Sequence, residues 1–124
     1  MEKKILVTGG SGLIGKYLKN IMPSASYISS KDYNLLNENE VKKMFIDIKP
    51  NIVIHLAALV GGIHHNIEEP VRYFEENIIM NTLVLRESFK NKVDRFTGML
   101  SSCIYPDNII KFLFYLYRNY FFIK

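Results

Sequence analysis

Lys4-Ile5-Leu6-Val7-Thr8-Gly9-Gly10-Ser11-Gly12-Leu13-Ile14-Gly15 carries a short apolar run into a cluster of glycines, where a helical pattern begins at once. The run Ile5-Leu6-Val7 is too short for a helix and rich in β-branched residues, so it reads as a buried strand. Gly9, Gly12 and Gly15 stand three apart across the turn. Glycines at that spacing let the backbone turn tightly, approach a pyrophosphate and pack the new helix against the strand. The helix start offers free N–H groups and the positive end of the helix dipole to a phosphate. Gly9, Gly10, Ser11, Gly12, Leu13, Ile14 and Gly15 are therefore the first candidate cofactor-binding residues.

Working outward, the same alternation repeats. Leu13, Ile14, Tyr17, Leu18 and Ile21 form a helical stripe that Pro23 ends. Ala25–Ile28 reads as a second strand and runs into Ser29-Ser30-Lys31-Asp32. In a dinucleotide fold this strand end meets the adenosine ribose, where an acid would bond a 2′-hydroxyl. The hydroxyl of Ser30 and the cation of Lys31 suit a 2′-phosphate instead and favour NADP over NAD. A solvated polar loop accounts for the same residues equally well.

Asn37 reads as an N-cap with Glu40 three positions on, opening a helix whose apolar side is Val41, Met44, Phe45 and Ile48. Ile52–Ala58 reads as a third buried strand followed by the Val60-Gly61-Gly62 turn. The small Ala57 and Ala58 leave room for a flat ring or a ribose, or simply pack tightly. Glu69–Lys90 is a long helical pattern whose apolar positions include Val71, Phe74, Ile78, Leu85 and Phe89. Asn77 and Asn81, one turn apart on it, either hydrogen-bond across to loops or are solvated. Phe96–Leu100 reads as a fourth strand leading to Ser101-Ser102-Cys103-Ile104-Tyr105-Pro106. Strand–helix alternation of this kind predicts an α/β, Rossmann-like doubly wound parallel sheet, here its N-terminal portion of about four strands. The polar and small-residue clusters all fall at the carboxyl ends of the strands, where such folds bind ligands.

Composition narrows the class. A chain of 124 residues, 48% hydrophobic and 23% charged, fits one soluble globular domain at most. The net charge of +4 owes most to Lys111, Arg118 and Lys124, which have no acid beside them. No Lys/Arg-rich run suggests nucleic acid. One cysteine forbids an intramolecular disulfide and fits a reducing compartment. The chain enters its first strand directly, with no room for a signal peptide, which points to the cytoplasm. His55, His64 and His65 lack a metal-site partner set, so no metal is expected.

Thr8–Gly15 resembles the TGxxGxxG loop of the extended short-chain dehydrogenase/reductases, the NAD-dependent epimerase/dehydratase family, and His55-Leu56-Ala57-Ala58 resembles their next cofactor-side motif. Val60-Gly61-Gly62-Ile63 with Asn66, and Ser101–Pro106, resemble the branch of that family that makes GDP-L-fucose. Ser29-Ser30-Lys31-Asp32 resembles its eukaryotic type. The resemblance covers residues 3–107. It implies NADP(H) as cofactor and GDP-4-keto-6-deoxy-D-mannose, a nucleotide sugar, as substrate. The C4 ketone acidifies the protons at C3 and C5, which a cysteine and a histidine exchange; Cys103 stands at that cysteine. Hydride then reduces the ketone while a Tyr, its pKa held down by a Lys, gives the proton and a Ser bonds the carbonyl. Ser101 matches that Ser.

The composition breaks after Asp107. Residues 108–124 hold seven of the chain's aromatics, and Lys111 and Arg118 leave the run too short for a membrane span. The reading is a partial NADP-binding domain over 1–107 and an aromatic tail over 108–124, helical or disordered, as in a truncated or mis-spliced chain. Tyr120 and Lys124 have the Tyr-x-x-x-Lys spacing of the family's catalytic pair, which so aromatic a segment also meets easily by chance. Such a chain is expected to be inactive alone, a non-catalytic nucleotide-binding or interaction module being the alternative, and the family's homodimer is possible but doubtful for it.

Overall fold

The computed structural model describes residues 3–100. Ser101, Cys103, Tyr120, Lys124 and the whole of 108–124 lie outside them. Within them the order is β1 (Ile5–Thr8), α1 (Leu13–Ile21), β2 (Ser26–Ile28), α2 (Glu38–Ile48), β3 (Ile52–His55), α3 (Ile63–Glu68), α4 (Pro70–Lys90) and β4 (Arg95–Gly98). The four strands form one parallel sheet in the order β2-β1-β3-β4. The chain moves from β1 to one side and then returns to its other side. That reversal opens a crevice between β1 and β3 at the carboxyl edge.

Strand alternation puts Leu6 and Val53 on one face of the sheet, and there they meet Val41, Met44 and Phe45 of α2 and Met80, Leu83 and Val84 of α4. Each of these side chains contributes roughly 1.5–3 kcal/mol by leaving water. Val7 points to the opposite face, the face of α1, and is fully buried as well. Asn37 caps α2 as its sequence predicts, its Oδ1 accepting from the N–H of Asn39 at 2.9 Å. The reciprocal arm does not close: Glu40 instead accepts from Asn34 N–H at 2.7 Å. Lys49 adopts a left-handed conformation, φ 50°, and Pro50 then excludes further helix.

Two elements differ from expectation. β3 ends at His55 rather than Ala58, because β1 turns away at Gly9 and the Thr8 side chain takes over the next ladder position: Ala57 N–H donates to Thr8 Oγ1. β4 runs Arg95–Gly98 rather than to Leu100, since its partner has ended; one further bond joins Met99 N–H to the His55 carbonyl. The helix α3 was not foreseen within the Gly61–Gly62 turn region. Its Asn66 amide reaches back to the carbonyls of Gly61 and Gly62.

Candidate functional site

The β1–α1 loop is closed by its own backbone. Gly10 N–H donates to the Ile28 carbonyl at 2.8 Å and Gly12 N–H to the Gly9 carbonyl at 3.0 Å. Gly9 has φ +72°, and a Cβ there would stand 2.7 Å from Ala57 N. A Cβ on Gly15 would lie 2.6 Å from the Gly9 carbonyl oxygen, and one on Gly10 would lie 2.7 Å from the Tyr27 Cβ. The spacing read from sequence therefore has a physical basis: the backbones of β1, α1, β2 and the segment after β3 meet with no room for side chains.

The N-terminus of α1 is capped only by the backbone of Gly12 and has no acid in its first turn. Its first N–H groups have no intrahelical acceptor. By contrast the start of α2 is occupied by Asn37, Glu38 and Glu40. Ser11, Gly12, Leu13 and Ile14 are exposed around this open helix end. A cradle that any Cβ would fill, facing uncapped N–H groups, fits a pyrophosphate.

At the end of β2, Asp32 folds back on its own loop. Its Oδ2 accepts from Ser29 N–H and Ser29 Oγ–H, each at 2.8 Å. The backbone N–H of Ser29, then its hydroxyl, hold the Asp32 carboxyl below the ordinary aspartate value. The acid is thus engaged, and Ser30 and Lys31 remain exposed at the edge.

Behind the crevice lies a polar chain, buried at Thr8 and His55 and ending on the exposed Asn81. Thr8 Oγ1 is 2.6 Å from His55 Nδ1, and His55 Nε2 is 2.9 Å from Asn81 Oδ1. Burial pushes the imidazole below its ordinary value, and the bond to Asn81 offsets part of that. One turn before Asn81, Asn77 accepts from Leu59 N–H at 2.8 Å and donates to the Leu59 carbonyl at 2.9 Å. Asn81 thus reaches the last residue of β3, and Asn77 the segment after it.

The profile of the NAD dependent epimerase/dehydratase family matches residues 5–112. The chain belongs to the NAD-dependent epimerase/dehydratase family. Among its members it is 40% identical over 113 residues to a GDP-L-fucose synthase of Dictyostelium discoideum, an alignment covering 86% of this chain and 35% of that protein. A probable GDP-L-fucose synthase of Drosophila melanogaster is 38% identical over 112 residues, covering 85% and 35%. The chain thus spans about a third of the length of these relatives. The solved GDP-L-fucose synthetase of Naegleria fowleri bound to NADP superposes with a TM-score of 0.75 at 35% identity, over 87% of this chain and 36% of that one.

In this member of the family the fold brings Gly9–Gly15, Ser30, Lys31, Ala57 and Ala58 to one edge, as the sequence predicts. Ala57 is half-buried against Gly9 and Ala58 is exposed. Ser101 and Cys103 follow β4 beyond the described residues. Thr8 was not foreseen as part of the site. Its signal was available only as a hydroxyl at the strand end; its partners His55 and Ala57 lie far away in sequence.

Proposed function

We propose that this chain carries the NADP(H)-binding portion of a GDP-L-fucose synthase-type enzyme, which acts on GDP-4-keto-6-deoxy-D-mannose by 3,5-epimerisation and 4-reduction. The observation that carries the cofactor reading is the uncapped start of α1 over the Gly9–Gly15 cradle at the point where strand order reverses. The uncapped backbone N–H groups at the start of α1 would hold the pyrophosphate. Ser30 and Lys31 take the 2′-phosphate, the acid that would prefer a free 2′-hydroxyl being turned onto Ser29. Ala57 and Ala58 form the wall against which a ribose or ring lies. When bound, NADPH supplies the hydride for a 4-keto group. In the same reading Ser101 bonds the ketone oxygen and Cys103 exchanges protons at the carbons beside it.

The two GDP-L-fucose synthase relatives and the VGGI and SSCIYP stretches support this substrate. A reductase of another GDP sugar is the second reading. It is favoured by 37% identity to a GDP-L-colitose synthase of Yersinia pseudotuberculosis and by likeness to a GDP-mannoheptose C4 reductase of Campylobacter jejuni solved with NADP, TM-score 0.78 at 26% identity.

Fluorescence titration of the chain with NADP⁺ and NAD⁺ tests the cofactor. NADP⁺ is expected to bind about tenfold tighter, the equivalent of one charge-assisted contact of about 1.4 kcal/mol, and Lys31→Ala to abolish the difference. Equal affinities in the unchanged chain, or no binding, overturn the reading. Oxidation of NADPH in the presence of GDP-4-keto-6-deoxy-D-mannose, compared with other GDP-4-keto sugars, separates the two substrates.

A further inference from the structure

The polar chain behind the crevice has a direction, and α4 sets it. An amide oxygen only accepts, so the His55 Nε2 beside Asn81 Oδ1 carries the imidazole proton. In the neutral ring Nδ1 is then a lone pair, and Thr8 donates its hydroxyl proton to it across 2.6 Å. With that proton committed, Thr8 Oγ1 turns a lone pair to Ala57 N–H, which donates at 3.3 Å. The opposite tautomer breaks this order. Nδ1–H and Ala57 N–H would both point at Thr8 Oγ1, and no other acceptor bonds that hydroxyl among the described residues. A buried donor left without a partner costs more than the bond it replaces.

The consequence reaches the phosphate loop. Ala57 N is the atom that a Cβ on Gly9 would meet at 2.7 Å, so the position of the Ala57 backbone sets the room available to the turn at Gly9. We propose that Asn81 is a positioning residue for the cofactor edge: it fixes the tautomer of His55 and, through Thr8, the place of the Ala57 backbone against Gly9. This deepens the cofactor reading above and rests on it for its link to binding. Asn77 supports the same segment two residues on, holding both backbone groups of Leu59 directly. Thus α4 bonds the last residue of β3 through Asn81 and the segment after it through Asn77.

The test uses the full chain with ¹⁵N-labelled histidine at about pH 8, where an ordinary imidazole is neutral. Long-range ¹H–¹⁵N spectra read the tautomer of His55, with exposed His64 and His65 as references. Amide exchange reads Ala57, and titration with NADP⁺ reads the edge. The unchanged chain is expected to show Nε2–H. Asn81→Leu removes the acceptor and is expected to populate Nδ1–H, to speed Ala57 exchange and to weaken NADP⁺ binding, each of the last two about five- to tenfold for one hydrogen bond. Asn81→Asp keeps an acceptor and is expected to restore all three. Persistence of Nε2–H in Asn81→Leu overturns the proposal, as does a changed tautomer with unchanged Ala57 exchange or unchanged affinity. If the unchanged chain binds no NADP⁺, the cofactor reading fails, while the tautomer and the exchange rate still decide whether Asn81 positions Ala57.

Discussion

His55 loses hydration where β3 packs under α4, and its charged form loses most. Its folded pKa therefore lies below the unfolded value of about 6.5. Below that pH the unfolded chain binds the extra proton first, so the stabilisation is complete above about 6.5 and declines as pH falls, until the folded ring itself protonates. The urea midpoint is expected to drop between about pH 7.5 and pH 5, and His55→Gln to flatten that part of the profile while lowering stability at the upper end. A profile of equal slope in the variant would assign the acid sensitivity elsewhere. Asp32 acts in a separate, lower window: its carboxyl is held down, so its contribution is present above about 3.9 and lost beneath. Glycines offer a second test at this scale. Gly9→Ala is expected to cost at least 1–2 kcal/mol from its left-handed φ alone, with contact against Ala57 added. Gly62→Ala, where a Cβ meets nothing within 4 Å, is expected to stay within about 0.5 kcal/mol by urea unfolding. The glycine loop was legible because its constraint is local. The role of Asn81 was not, because its partner His55 lies 26 positions away and Thr8 a further strand beyond.

The helix α4 shows why a periodic pattern identifies an element more surely than its face. Val71, Phe74, Ile78, Leu85 and Phe89 mark a helix correctly, yet all five are exposed. The side turned to the core carries Met80, Leu83, Val84, Glu87 and Ser88. That side looks mixed in sequence because its polar groups find local partners: Ser88 Oγ donates to the Val84 carbonyl, and Lys90 Nζ donates to Glu87 Oε1 at 2.9 Å. α2 read correctly: Val41, Met44 and Phe45 are all fully buried, and only Ile46 among its apolar residues turns outward. The two faces of α4 separate cleanly by substitution. Leu83→Ala is expected to cost about 2–5 kcal/mol, whereas Phe89→Ala, 78% exposed, is expected to change stability by less than about 0.5 kcal/mol. Comparable losses at both positions in urea unfolding would restore the face that periodicity selects.

At the scale of the whole molecule, two concave regions compete for a nucleotide, and the parallel fold decides between them. The topology follows from alternating strands and helices, so the carboxyl edge was legible in the sequence as the candidate ligand edge. The opposite edge was not, because the depression of about 350 Å³ among Lys49, Pro50, Asn51, Asn91 and Lys92 joins two distant helix ends. Both lysines 49 and 92 there have positive φ, and their charges would attract phosphate. However, α2 and α4 end at that edge, presenting carbonyls and about half a negative charge each, while α1 begins at the carboxyl edge with uncapped N–H groups and the opposite sign. Exposed lysines in high dielectric offset this only weakly. Hydrogen exchange with and without NADP⁺ is therefore expected to show protection together at residues 9–15, 29–31 and 57–62, segments that meet only in the folded sheet. Residues 49–51 and 91–92 are expected to exchange unchanged. Protection at that edge in place of the carboxyl edge would mean that the lysines outweigh the helix ends, and would move the nucleotide site to the other side of the molecule.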